Sequence, residues 1–136
     1  MRPPDVEVFV PCVIKSEANS RDHWATKAKR VKAQRNAARM LVTTGMHKLA
    51  WAVIDYMRNK SATVQLHVTR SRRLDDDNLT SGLKAIRDGV ADALGRNDGA
   101  NSGLRFALSS QSTSRDKRQH GVLVSVWIAS GPTVEP

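Results

Sequence analysis

The sequence predicts an α+β fold: one compact domain with a mixed β-sheet and two principal helices packed on it. Three observations predict it. Apolar and polar residues alternate from Ala62 to Thr69, the period-two pattern of a strand with one buried face. Leu79, Leu83, Ile86, Val90 and Leu94 recur every three or four residues, the stripe of an amphipathic helix. A length of 136 residues supports about one domain with a modest two-layer core, and no repeat or linker divides it. The domain is therefore expected over 1–136, with 130–136 as a frayed tail.

The elements follow in chain order. VEVFVPCVI, from Val6 to Ile14, reads as a first strand interrupted or edged by Pro11, which has no N–H for a ladder. KSEANSRD is a loop in which Asp22 is placed to cap a helix. That helix carries Trp24, Ala28, Val31, Ala38 and Val42 as a broken apolar stripe and runs to about Thr43, with Gly45 as its stop. HKLAWAVIDYMRNK fits either a short helix or an irregular connector. The alternating strand comes next, then the second helix, closed by Gly95 in a left-handed cap. LRFALSSQ and GVLVSVWIAS read as two paired strands joined by a long basic hairpin loop, STSRDKRQH. Strand, helix, strand, helix and paired strands together give α+β.

Composition narrows the function. Lys and Arg number 22 against 13 Asp and Glu, a net charge of +9, and the pI is near 10.5. That excess favours nucleic acid as partner, through phosphate contacts. A merely basic soluble protein is the bland alternative, and an acidic membrane surface fits less well because the basic segments lack bulky apolar faces. The single cysteine, Cys12, rules out an internal disulfide framework or a Cys-based zinc site. The opening MRPPDVEV does not resemble a signal peptide, no apolar run is long enough to span a bilayer, and a cytosolic setting is the default expectation. Aromatics are sparse, so the core is expected to be completed by a homodimer interface.

Against that charge, RRLDDDNLTSGLKAIRDG places three consecutive acids, Asp75 to Asp77, between a strand end and a helix start. Asp77 or Asn78 would serve as N-cap, where the helix dipole stabilises a carboxylate. One acid is explained that way and three are not. In extended chain Asp75 and Asp77 point the same way, with Asp76 opposite. Asp98 follows in RNDGAN, beyond the helix, and would reach the site only from a neighbouring strand or a partner subunit. Three carboxylates would make an oxygen-rich site for Mg²⁺, with Mn²⁺ as a substitute, suited to phosphodiester hydrolysis. Structural calcium binding or simple capping are the other readings.

The stretch RRLDDDNLTSGLKAIRDGVADALGRNDG resembles the active-site segment of the RusA family of Holliday junction resolvases from phages and prophages. Asp75, Asp77 and Asn78 match the family's acidic block, Lys84 with Asp88 its lysine-bearing helix, and Asp98 its later acid. Around Asn19, VPCVIKSEANSRDHW resembles the family's opening. Two departures stand out: LTSGL puts five residues between Asn78 and Lys84 where the compact pattern has two, and Asn97 takes the first place of a frequent acid pair. The resemblance implies a RusA-like fold and a small basic homodimer that binds branched DNA and cuts it with Mg²⁺, in the cytoplasm of a phage or prophage host. It assigns Asp75, Asp77 and Asp98 to the metal and Lys84 to catalysis.

Lys84 reads equally as a surface lysine paired with Asp88. Lys27, Lys29, Arg30, Lys32, Arg35 and Arg39, a run without an acid, and Arg70, Arg72 and Arg73 are the candidate phosphate contacts, or else a solubilising surface. Glu17, Asp22 and Asp92 read as surface acids or caps. The four histidines have no metal-ligand spacing, and Cys12 reads as a core residue. A nuclease for flaps or forks, and a non-catalytic architectural DNA binder, remain alternatives.

Overall fold

In the computed structural model the residues described are 2–17, 21, 23–50, 61–95 and 103–128. Among them run β1 (Val6–Pro11), α1 (Trp24–His47), β2 (Ala62–Arg70), α2 (Asp76–Ala93), β3 (Leu104–Phe106), β4 (Ser110–Thr113) and β5 (Gly121–Ile128). The sheet order is β1-β5-β2-β3, with β4 following β3 along the same side of β2. β5 is antiparallel to both β1 and β2, while β3 and β4 run parallel to β2. The fold is thus a small α+β domain with a mixed sheet and two helices. Residues 51–60, which hold most of the ambiguous connector, and the 130–136 tail lie outside the described residues.

The expected hairpin of the last two strands is not formed. β2 lies between them, paired to β5 on one side and to β3 and β4 on the other. The physical reason is visible in the residues. β5 is buried along nearly its whole length, as a strand with neighbours on both sides is. β3 and β4 are short, partly polar and offset by one residue: Phe106 pairs with Val64 and Ser110 with His67, four steps against three. That bulge suits an edge. His67 ties the edge down, with Nδ1 2.6 Å from the Ser110 hydroxyl and Nε2 2.6 Å from that of Ser112. Pro11 sits at the end of β1, the opposite edge, where a missing donor costs little.

α1 is longer than expected. It continues through Gly45 to His47, because Gly45 lies against Val6 and Val8, where the absence of a side chain lets the last turn pack on β1. Its N-cap is His23, whose Nδ1 accepts from Ala25 N–H at 3.2 Å; Asp22, the expected cap, lies outside the described residues. The buried stripe is Gln34, Ala38, Val42 and Met46, whereas Trp24 is 75% exposed. α1 and α2 approach closely at Gly89, where a Cβ would collide with the Arg35 carbonyl oxygen and lie 2.8 Å from the Ala38 methyl. Beyond α2, Gly95 takes the expected left-handed conformation, with φ +67°.

Aliphatic side chains fill the space between helices and sheet: Val10, Ile14, Val42, Val64, Leu66, Val68, Leu83, Ile86, Val90, Val122 and Val124 are all fully buried. Among the described residues the core is thus aliphatic, and the expected homodimer interface is not seen in a single chain. No described helix is long and apolar enough to cross a membrane.

Candidate functional site

The acidic cluster is held from three sides. Arg70, the last residue of β2, donates from Nε to the Ile14 carbonyl at 2.9 Å and from a terminal nitrogen to that of Arg72. Partial burial lowers the Arg70 pKa by desolvation. Two nitrogens of its guanidinium thus buttress the 71–75 turn. From β4, the Gln111 amide accepts from Leu74 N–H at 3.0 Å and donates to Leu74 C=O at 2.8 Å, a strand-like bridge made by a side chain. On the third side the Ser16 hydroxyl donates to Asn78 Oδ1. Gln111 and Ser16 carry no motif, and their importance depends on strand placement that the sequence does not display.

Asp75 is the N-cap of α2, displacing Asp77 and Asn78 from that expected role: its Oδ1 accepts from Asn78 N–H at 3.0 Å. Asp76 and Asp77 occupy the first turn, where the helix dipole favours acids. Because Asp77 is already helical, the extended-chain argument that it points with Asp75 does not hold. Both carboxylates remain exposed at one helix end, and one Asp75 oxygen is committed to the cap. Asp77 lines an open cavity of about 330 Å³ together with Thr80, Ser81, Lys84 and Arg87. Lys84 therefore shares a face with Asp77, two helical turns along, as i and i+7 must. It also lies 3.3 Å from the Asp88 carboxylate, an exposed i,i+4 pair. Arg87 was not singled out by sequence reasoning. Its guanidinium carbon sits 4.6 Å from the centre of the Phe106 ring.

Among the described residues no three of His, Cys, Asp or Glu come together to hold a metal ion. Asp98 lies outside the described residues. Those on either side of its segment are Gly95, just past the C-terminus of α2, and Gly103, whose carbonyl accepts from Ala62 N–H at the start of β2. Both are at the opposite end of these elements from Asp75.

The basic face of α1 separates into two groups. Lys27 donates to the Glu17 carbonyl at 2.6 Å, and Arg30 grips the Glu17 carboxylate through two nitrogens at 2.6 and 3.0 Å. Glu17 is buried, which corrects its reading as an ordinary surface acid. Arg35 grips Asp92 at 2.8 and 3.0 Å and approaches Asp88 at 3.9 Å. The hydrogen bond from Arg35 lowers the Asp92 pKa. The acids that the run itself lacks are thus supplied by a loop and by α2. Lys29, Lys32 and Arg39 remain exposed on α1, as do Arg72 and Arg73 in the turn. Residues 12–17 link the two areas, bonding α1 through Glu17 and α2 through Ser16. Cys12 takes no part: burial pushes its thiol up to about 11, so it carries almost no thiolate at neutral pH.

Comparison with protein-family models, with curated proteins and with solved structures finds no match to this chain.

Proposed function

We propose that the chain is a Mg²⁺-dependent endodeoxyribonuclease that resolves four-way DNA junctions by paired, symmetric phosphodiester hydrolysis, as its resemblance to the RusA family suggests. Its setting would be the cytoplasm of a phage or prophage host. The observation that carries the reading is the pair Asp75 and Asp77 exposed at one helix end, in a chain of net charge +9, with Asp77 opening onto the same cavity as Lys84.

The donor set fits the cation in kind: exposed carboxylates with a free Asp75 oxygen are hard ligands of the sort Mg²⁺ takes, and Mn²⁺ accepts the same donors. Bound there, the cation supplies Lewis-acid activation of water and phosphodiester. The chain's own residues do the rest. Asp75 and Asp77 hold the cation, Lys84 offsets charge on the phosphate as a mobile point charge, and Lys29, Lys32, Arg39, Arg72 and Arg73 hold backbone phosphates without reading bases.

Asp98 belongs to this reading through a second copy of the chain. α2 separates its ends by about 27 Å at 1.5 Å per residue. Asp98 is three residues beyond Gly95, a reach of at most about 11 Å. Carboxylates sharing one cation lie within about 5 Å of each other, given metal–oxygen distances near 2.1 Å. Chain length therefore leaves Asp98 of the same copy short of Asp75, and a homodimer supplies it in trans. A twofold pair of such sites suits paired cuts.

The engagement of Asp75 as N-cap favours a second reading, an architectural DNA binder whose acids only start a helix. Cleavage of four-way junction, fork and linear duplex in Mg²⁺, by the parent and by Asp77→Asn, separates the readings. The proposal expects junction cutting by the parent and its loss, by about a hundredfold or more, in Asp77→Asn with DNA binding retained. Equal cutting of forks would move the activity to branched DNA in general. No cutting of any substrate by the parent leaves the architectural reading.

A further inference from the structure

Arg87 has no role in holding the cation and pairs with no acid among the described residues. Its Nε is buried and has no hydrogen-bond partner among the described residues. The guanidinium is packed against Phe106 of β3, 4.6 Å from the ring centre. A guanidinium stays protonated at any physiological pH. A buried donor left unmade is unfavourable, so the group favours an acceptor. The ring offsets part of that through cation–π attraction, and it also fixes the direction in which the planar fork points.

The cavity that Arg87 lines offers an anion a place beside the side chain. Lys84 and Arg87 against Asp77 leave one net positive charge on its wall. Thr80 and Ser81 complete the lining but already donate to the carbonyls of Asp76 and Asn78. The donors left for an incoming group are therefore the two cations. Lys84 is 72% exposed and its pair with Asp88 at 3.3 Å is of a kind worth little, so it can swing to a ligand. Arg87, stacked on Phe106 and half-buried, has less freedom to move than Lys84. A planar fork matches the geometry of a phosphate bidentately. A volume of about 330 Å³ admits a phosphate with part of its sugar.

We infer that this cavity is an anion-binding subsite for a backbone phosphate of DNA, with Arg87 on its Phe106 platform as the anchor and Lys84 as the mobile second contact. The inference rests on DNA as the substrate, and it places one phosphate on α2 beside Asp77.

The test is made in EDTA, so that it does not depend on the metal or on cutting. The Nε–Hε resonance of Arg87 is identified in a ¹⁵N–¹H spectrum by its loss in Arg87→Gln. The parent is then titrated with inorganic phosphate and, separately, with a single-stranded DNA tetranucleotide, against chloride at matched ionic strength. The expected result is a saturable shift of that resonance with both probes. Arg87→Gln should weaken tetranucleotide binding by about tenfold or more, as expected for a hydrogen bond to a charged group. Phe106→Leu, which leaves the arginine but removes its platform, should weaken it less. Circular dichroism checks that both variants are folded. A resonance unmoved by either probe, or unchanged binding by folded Arg87→Gln, overturns the subsite. A shift with phosphate alone overturns its assignment to the DNA backbone. Tetranucleotide binding at Arg87 in a protein that cuts nothing in Mg²⁺ would support the subsite while removing the nuclease reading.

Discussion

Asp75 has two separable tasks, and its two oxygens divide them. Oδ1 takes the Asn78 N–H that would otherwise be an orphan donor at the start of α2. The remaining oxygen is available to a cation. Asparagine caps helices about as well as aspartate, but it is a poor ligand for Mg²⁺; alanine does neither. Asp75→Asn should therefore melt at the parent's temperature and lose Mg²⁺-dependent cutting. Asp75→Ala should lose cutting and also about 1 kcal/mol of stability. Thermal unfolding of the three proteins, run beside the cleavage assay, checks this. Asp75→Asn cutting at the parent rate would reduce Asp75 to a cap. DDDN offers four consecutive residues that can cap, which is why the sequence placed the cap two or three residues too late. The backbone of Leu74, pinned by Gln111, helps fix where the helix begins.

At the scale of elements, α1 is less uniformly a DNA-binding surface than its charges suggest. Arg30 and Glu17 form a pair with only 17% and 11% of their side chains exposed. Removing one partner of such a pair leaves a desolvated charge, at a cost of roughly 3–5 kcal/mol when burial is complete and less here. Lys29, Lys32 and Arg39 fall within about 80° of one another on the helix at 100° per residue. Replacing these three by alanine should keep the fold, since alanine is the better helix former. It should also weaken junction and duplex binding alike and flatten the dependence of log affinity on log salt, by about 0.9 for each phosphate no longer neutralised. Arg30→Ala should instead lower the unfolding free energy by about 2 kcal/mol or more and change the salt slope little. Denaturant unfolding and affinity measured against salt distinguish them. An unchanged slope in the folded triple variant would place that face in solvent. The sequence displayed α1, β2 and α2 through their periodicities, because side-chain period depends only on local geometry. It did not display which strands are neighbours, since alternation reveals a strand's faces and not its edges. Nor did it reveal that Glu17 and Asp92, far from the basic run in sequence, neutralise part of it.

For the whole molecule, the decisive fact is the direction of the chain. β2 delivers Asp75 to one end of the sheet, α2 carries the chain to the other, and β3 starts there because it runs parallel to β2. In a β-α-β unit the residues after the helix enter at the end opposite the residues before it. Asp98 follows α2 in the chain, and under the proposed function a site that uses Asp75, Asp77 and Asp98 draws on two copies. The same requirement makes a sharp prediction for mixed dimers. Asp77→Asn and Asp98→Asn should each be inactive alone. In a dimer of one copy of each, the first site combines both defects, and the second combines an intact Asp77 with an intact Asp98. Random exchange at equal concentration makes half the dimers mixed, with one working site of two, so about a quarter of the parent's sites are restored. Those sites should nick one strand of a junction and not make paired cuts, because the partner site in the same dimer is dead. The two variants are mixed, allowed to exchange, and assayed on a junction labelled on each strand. Recovered nicking supports the shared site. A mixture as inactive as its parts, with exchange confirmed by mass spectrometry of tagged copies, would overturn the sharing between copies, and Asp98→Asn cutting at the parent rate by itself would remove Asp98 from the site.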